Sequence, residues 1–587
     1  RAEMSLADRI AAQQRRVAEL EAELWAGGLV ESVVEPYQAA FRELEELIAL
    51  RGPDRRHRFV VVIPVADSPQ HLAACLDSLL TQCRTFAYGG VEQGCYRKVT
   101  VLLADDSADP DRVQQNRDLA RRCEQAGIGV NYFGIDEQLA LLRRLPAAGL
   151  GGIVGEHPVD AFAHKGQAMM RNIAYLKLAE MQARIQRESP GERLLFYTID
   201  ADQTFQVKVE TPDGSRSLHA LNHFYWLDRL FDDGTVQVMT GKVVGDPPVS
   251  PAVMAGNFLD DVLAFLRSIS DPEPDASYRQ PSAGPHSPGE AAYHDMPELF
   301  GFAGESDVYQ YRCRMPGAPS NIDCFIEFAQ HLNSFLHGEH PTRVTWFHYQ
   351  SVPESVQPAR TVYTGNYVFN ADGLRWFIPF APLRLRMSGP TLGRMLRAEL
   401  GAGFASVNLP MLHGRTLART RVSEFRPGVL SEQSRIDLSD EMERQFYGDV
   451  MLFSIERLSA AGFPARRLDR RQIAGILDAV HAELSDKYRA RRAQICARLD
   501  DLRAVLHEPA RWWNRTAGLD GALNDFVAFI DNIQFNFASQ SWGPAPIDAS
   551  PDWPEWRERQ LDAIAGLPAD RRAWRTALAI LQRTDTA

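Results

Sequence analysis

The sequence predicts an α/β fold built on a mainly parallel sheet, with helical segments before and after it. Three observations carry that expectation. Short β-branched runs alternate with helical stretches between residues 58 and 205. The runs at 59–63 and 99–103 are short and nearly continuously apolar rather than alternating, as in strands buried on both faces. Three of the runs also stop at polar clusters, and an open parallel sheet binds ligands beyond the carboxyl ends of its strands.

In chain order, residues 4 to about 50 read as helix. Ile10, Val17, Leu20 and Leu24 recur at three- and four-residue steps, as do Phe41, Leu44, Leu47 and Ile48 after the Gly27-Gly28 break. A helical hairpin packed on the main domain is expected. The periodic stretch is too short to favour a coiled-coil arm. From residue 58 the run FVVVIP stops at a proline and is followed by a helical pattern over 71–82. VTVLL at 99–103 ends in Ala104, Asp105, Asp106 and Ser107; GVNYF at 129–133 is the third strand. After a helix over about 166–187, LLFYTI at 194–199 ends in Asp200, Ala201 and Asp202. The Pro-, Gly- and Ser-rich stretch 271–291 reads as a loop, placed where active-site lids often arise. Mixed structure resumes to about 425. Thereafter Ser439 is expected to cap a helix, Asp469 to Gln472 has capping-box spacing, and helices are expected near 470–507, 519–535 and 554–583. The domains expected are therefore 1–57, 58–425 and 426–587, and 587 residues are too many for one core.

A formal charge of -12 argues against nucleic acid or an anionic membrane as the main partner, since both need a concentrated positive field. Seven cysteines without a Cys-x-x-Cys pair suggest neither a disulfide framework nor a zinc ribbon, and read as reduced thiols. No apolar run approaches the ~20 residues that cross a bilayer. No apolar signal segment follows Met4, so a cytoplasmic location is expected. A homo-oligomer stays open.

The chemistry centres on Asp200 and Asp202. Two carboxylates one residue apart in a turn after a strand can share a hard divalent cation and leave room for phosphate oxygens. An acidic pair can equally cap a neighbouring element, and position decides between these: this pair follows the fourth strand of the series. The segments VVVIPVAD at 60–67 with LDSLL at 76–80, VLLADDS at 101–107, HKGQAMMRN at 164–172 and YTIDAD at 197–202 together resemble, in order, the strand and helix signatures of family-2-type nucleotide-sugar glycosyltransferases. The resemblance covers about 58–205 and weakens downstream; the C-terminal helices have no counterpart in it.

The resemblance implies a Rossmann-like catalytic domain of the GT-A type, a nucleoside-diphosphate sugar donor linked to UDP or GDP, a carbohydrate or other hydroxyl acceptor, and Mn2+ or Mg2+. Asp200 and Asp202, with Ala201 between them, would hold the metal and stabilise the departing diphosphate. The backbone around Pro64, Val65 and Asp67 would hold the nucleoside. Asp105 or Asp106 would accept hydrogen bonds from base or ribose, unless one of them caps the next helix. Lys165, Gly166 and Arg171 would meet the diphosphate or base near a helix N-terminus. His413, after the apolar run VNLPML, resembles the histidine that supplies a third metal ligand in several metal-using enzymes of this type. One departure stands out. No carboxylate occupies the general-base position in 364–369 or 384–394. Asp246 or Asp323 could supply a base instead, or the enzyme retains configuration and needs none, which is the reading favoured. Two alternatives remain. A sugar-phosphate nucleotidyltransferase would open with a Gly-rich loop, and 65–69 is not one. A non-catalytic scaffold would not need Asp200 and Asp202. Trp512, Trp513, Trp542, Trp553 and Trp556 either anchor helix packing or stack on an acceptor sugar.

Overall fold

A computed structural model of the chain describes residues 4–146, 149–156, 162–211, 214–281, 308–432, 435–538 and 552–583. It is a mixed α/β structure with a mostly parallel central sheet and many helices. The hairpin is formed by α1 (Leu6–Leu24) and α2 (Glu31–Leu50). The sheet strands are β1 (Arg58–Val65), β2 (Val99–Asp105), β3 (Gly129–Phe133), β4 (Leu194–Ile199), β5 (Val238–Gly245), β6 (Asn366–Asn370) and β7 (Phe404–His413). Their order across the sheet is 3-2-1-4-6-5-7, and β6 alone of these runs against the others.

β1 is buried along nearly its whole length and β4 throughout, so both faces of the sheet are covered. Their side chains alternate between two cores. Val60, Val62 and Phe196 enter one, and Val61, Ile63, Leu195 and Tyr197 the other. The α1–α2 hairpin sits on the second core through Val17, Leu24, Tyr37 and Phe41, so it is a packed element and not a free arm. The antiparallel β6 is pinned by Asn366, which is 1% exposed. It accepts from Tyr197 Oη on β4 (2.9 Å) and donates to the carbonyls of Lys242 on β5 (2.8 Å) and Leu409 on β7 (2.8 Å). One amide thus ties four strands, with its buried polar atoms partnered as burial requires.

The connecting helices include α3 (Pro69–Phe86), α4 (Pro110–Gln125) and α5 (Gln167–Glu188). Asp109 caps α4 ahead of a proline at its first position, so neither Asp105 nor Asp106 serves as that cap. Later come α6 (Pro251–Ser268), α7 (Asn321–Leu332), α8 (Ser388–Leu400), α9 (Ser439–Ala460), α10 (Arg470–Leu506), α11 (Asp520–Phe537) and α12 (Trp553–Arg583). α10 opens on the expected capping box of Asp469 and Gln472. Ser439 differs from its expected role: it is the first residue of α9, not its cap, because its hydroxyl is donated to Asp437 Oδ1.

The C-terminal helices share their cores with earlier residues. Phe446, Leu477, Ile564 and Trp574 pack with β-sheet residues, while Leu499, Trp513, Phe526 and Phe529 pack with α6 and α7. Trp512 and Trp513 are buried and donate to the carbonyls of Ile269 (2.7 Å) and Leu506 (2.9 Å). Trp556 is also buried. These three therefore anchor helix packing; Trp542 lies outside the described residues. All seven cysteines are free thiols. Among the described residues, no helix is long and apolar enough to cross a membrane.

Candidate functional site

A cavity of about 260 Å³ opens at the carboxyl ends of β1, β2 and β4. The strand ends contribute Pro64, Val65 and Ala66 from β1 and its turn, Asp106 after β2, and Asp200, Ala201 and Asp202 after β4. Gly166, just before α5, adds a fourth segment. Segments separated by more than 130 residues meet because six of the seven main strands point the same way and deliver their ends to one edge.

Five of the predicted residues stand behind this lining. Asp67, in the left-handed region at φ 47°, stabilises the turn after β1. It receives Asp109 N–H (3.2 Å), its own N–H donates to Ser107 Oγ (2.8 Å), and its Oδ2 lies 2.6 Å from His164 Nε2. Asp105 is 1% exposed and its carboxylate accepts from Ser107 N–H (2.9 Å), Asn116 Nδ2 (3.0 Å) and Tyr132 Oη (2.7 Å). Those bonds leave Asp106 as the acid of the pair that reaches the cavity. Lys165 is ion-paired with Asp106, donates to the Phe162 carbonyl (2.7 Å) and lies 4.0 Å from the Phe162 ring centroid. Burial pushes the Asp106 carboxyl up and the Lys165 ammonium down, each opposed by the charge of the other. Arg171 is 1% exposed and ion-paired with Asp200.

His413 is the fifth. Its Nδ1 lies 2.7 Å from the Asp246 carbonyl. A carbonyl can only accept, so Nδ1 carries the proton and Nε2 is directed to Asp202 Oδ2 at 3.3 Å. Arg415 Nη1 is 3.6 Å from the same oxygen. Burial works to raise the Asp202 carboxyl, but His413 when protonated, and then Arg415, overcome it and hold the acid below the usual carboxylate range. Asp202 Oδ1 is buried without a hydrogen-bond partner.

These residues fit a divalent cation in donor type: a histidine with its proton fixed on the far nitrogen, and a carboxylate with one buried oxygen unpartnered. Asp200 keeps Oδ1 on Arg171, while its Oδ2 faces Gly365, where any Cβ would collide with it. Among the described residues, no three His, Cys, Asp or Glu side chains are already grouped to hold a metal.

Much of the rest of the cavity comes from the 384–394 stretch, read in the sequence only as a general-base position without its acid, and from segments with no motif. Residues 384–390 before and within the start of α8, 423–427, and Arg444 and Gln445 of α9 all line it. Glu424 accepts from the N–H groups of Gln70 (3.2 Å) and His71 (3.0 Å), capping α3 from 354 residues away. Phe425 stacks on the His164 ring at 4.0 Å. Neither contact has a local signal, because both join positions far apart in sequence. Asp323, considered as a base, is instead committed to the capping box of α7 with Ser320. Asp246 is also occupied, taking Arg415 N–H at 2.9 Å. Of the loop expected over 271–291, residues 282–291 lie outside the described residues. The part before them is held against 319–321, with Tyr278 N–H donating to the Pro319 carbonyl (2.8 Å) and Asn321 N–H to the Ala276 carbonyl (2.9 Å).

No family model matches the chain, and no curated protein matches it. Among solved structures, a mannosyltransferase, PcManGT from Pyrobaculum calidifontis in complex with GDP-Man and Mn2+, aligns over 90% of this chain and 99% of its own length, at 10% identity and a TM-score of 0.30. A likeness at that level carries no argument about this chain.

Proposed function

We propose that the chain is a metal-dependent glycosyltransferase of the GT-A type that moves a sugar from a nucleoside-diphosphate donor to a hydroxyl acceptor. The observation that carries this reading is convergence. The turn after β1, Asp106, Gly166 and the Asp200–Ala201–Asp202 turn all line one cavity. They are also the four segments whose order resembles the glycosyltransferase signatures.

In this reading the backbone of 64–66 and Asp106 bind the nucleoside, and Gly166 lets the chain turn into α5 beside the diphosphate. At φ 95° that turn suits glycine. Asp202, Asp200 and His413 would hold Mn2+ or Mg2+. The ion, when bound, neutralises the diphosphate and makes it a better leaving group. Arg415, beside Asp202, adds a fixed positive charge to the same place. The Asp246 carbonyl keeps the proton of His413 on Nδ1, so that Nε2 stays available.

Among the described residues, the acids that line the cavity are Asp106, Asp200, Asp202 and Glu424. The first two are ion-paired, Asp202 faces His413, and Glu424 caps α3. None is left over as a general base for inversion, which supports retention, where the departing phosphate takes the acceptor proton. The test is a panel of UDP- and GDP-sugars with Mn2+ or Mg2+, read by thermal shift and by donor hydrolysis. A ligand at about 100 times its dissociation constant adds roughly 2.7 kcal/mol of stability. Stabilisation by a nucleotide sugar only when metal is present supports the reading, and none with any member of the panel contradicts it.

A further inference from the structure

The second wall of the cavity is rich in arginine. Arg384 and Arg386 precede α8, Arg426 lies in the segment after β7, and Arg444 stands on α9; all four line the cavity. Arg415 lines it too, but it leans on Asp202 and belongs to the donor side. The acid among the other four is Glu441, 1% exposed, with Arg426 Nη2 at 2.9 Å and Arg386 Nη1 at 3.7 Å. Among the described residues, neither Arg384 nor Arg444 takes part in an ion pair; Arg444 Nε donates to the Arg384 carbonyl (2.6 Å). Asp440 acts on Arg444 from beyond ion-pair distance. Among the described residues, four guanidiniums stand against Glu441, Asp440 and Glu424, the last turned to the N-terminus of α3, so cations remain in excess.

The crowding is visible in the groups themselves. Burial, with Arg415 and Arg386 nearby, pushes the Arg426 guanidinium down to about 10, against the pull of Glu441. Arg444 is also lowered, by burial first and then by Arg386. Asp449, the further acid that feels Arg386, is pushed up to about 7 by burial and adds little compensating charge. The first turn of α8 lines the same space, and no side chain caps its N-terminus. The positive end of the helix dipole there adds to the field.

We propose that this wall is an acceptor subsite that binds a phosphate group, so that the acceptor is a hydroxyl compound carrying a phosphate monoester. The inference rests on the donor reading above and names the acceptor class that the reading leaves open. Such a group carries about -1.5 to -2 at neutral pH, of the sign this wall lacks, and planar guanidinium forks suit its oxygens. A neutral sugar acceptor would leave the wall uncompensated.

The test uses the full chain saturated with UDP or GDP and Mn2+, so that the donor side is filled, and titrates it with inorganic phosphate by calorimetry, with acetate as the monoanion control. The expected result is saturable phosphate binding, absent with acetate and weakened on the order of tenfold in Arg384→Gln, a loss in the range of one charge-assisted hydrogen bond. Arg384 is exposed and in no ion pair among the described residues, so this variant is expected to fold, and its melting temperature checks that. A second variant, Arg444→Gln, should weaken phosphate in the same way. Phosphate binding that disappears once the nucleotide is bound would assign the arginines to the donor diphosphate and overturn the proposal. Equal binding of acetate, or unchanged phosphate affinity in both variants, would overturn it as well. If no nucleoside diphosphate binds, the donor reading itself fails, and the subsite loses its basis with it.

Discussion

At the strand-end wall of the cavity, every acid has a cation assigned to it. Asp106 has Lys165, Asp200 has Arg171, and Asp202 has Arg415. At the wall built by 384–390, 423–427 and α9, cations outnumber acids, and Arg384 and Arg444 have no ion-pair partner among the described residues. The first wall is self-neutralised, so a ligand must join or displace an existing pair there. The second can accept an anion without displacing anything. A self-neutralised site suits a metal and a diphosphate that arrive together, whereas an uncompensated one suits a ligand that brings its own negative charge.

The largest expected effect separates the walls by chemistry. Asp202→Asn removes a charged ligand from a turn rather than a core contact. It should lower transfer by on the order of 10³-fold, the equivalent of several kcal/mol of charge stabilisation, and lower the melting temperature as well because Arg415 loses its partner, so activity is compared well below that temperature. Near-normal activity of this variant in the presence of EDTA would break the metal-dependent reading.

Lys165→Met probes how far the strand-end wall depends on pairing. It leaves Asp106 buried without its cation and should cost about 3–5 kcal/mol of stability. Combining it with Asp106→Leu should recover most of that loss, because both charges are then gone. A single variant as stable as the parent, measured by denaturant unfolding, would show that the pair is not what neutralises this wall.

Asp449 sharpens the contrast from behind the arginine wall. It accepts from Gln445 Nε2 (2.9 Å) and from Tyr488 Oη, feels Arg386, and sits near 7 because it is buried. The unfolded chain releases this proton near the ordinary value, so between about 4 and 7 it binds fewer protons than the folded protein. Stability should therefore fall as pH rises through that window and stay low above it. The shift corresponds to at most about 4 kcal/mol at 1.36 kcal/mol per unit. Asp449→Asn should remove that pH dependence, for a net gain at pH 8 of about 2 kcal/mol once the weakened hydrogen bonds are counted. An unchanged pH profile in the variant would place Asp449 outside this balance.

Smallest is the effect at the seam between the walls. Glu424→Ala removes the carboxylate that caps α3 and should cost about 1 kcal/mol, the usual value of a cap. It should also raise protease cleavage near 423–425, since the anchor of this segment on α3 is lost while the stacking of Phe425 on His164 remains. Unchanged stability and cleavage would show that the seam is held elsewhere.

The same contrast explains what could be read from the sequence. The strands before 205 were legible because a buried parallel strand is a continuous apolar run, and each of the polar ends at β1, β2 and β4 follows such a run directly. Asp200, Asp202 and Asp106 could be picked out for that reason. Assigning roles within these clusters was harder. Nothing in the spacing says that Asp105 is consumed by Asn116 and Tyr132 while Asp106 reaches the cavity. The helices after 430 were legible from periodicity and caps, but not how their apolar faces are shared between the sheet core and the α6–α7 core. The arginine wall was legible only in part: 384–394 stood out as the general-base stretch, but its joining with Arg426 and Arg444 did not. Arg384, Arg386, Arg426 and Arg444 belong to separate segments, and single arginines in loops and on helices read as ordinary solvated surface until the fold collects them.

The central claim is that the strand-end wall holds a nucleoside-diphosphate sugar through a divalent cation. Its most direct measurement is the melting temperature of the full chain with each UDP- and GDP-sugar, with Mn2+ and with EDTA, in parent and Asp202→Asn proteins. The account predicts one or more donors that stabilise the parent only with metal, and no such stabilisation in the variant. Stabilisation that is equal with EDTA and Mn2+, or equal in the two proteins, would contradict it.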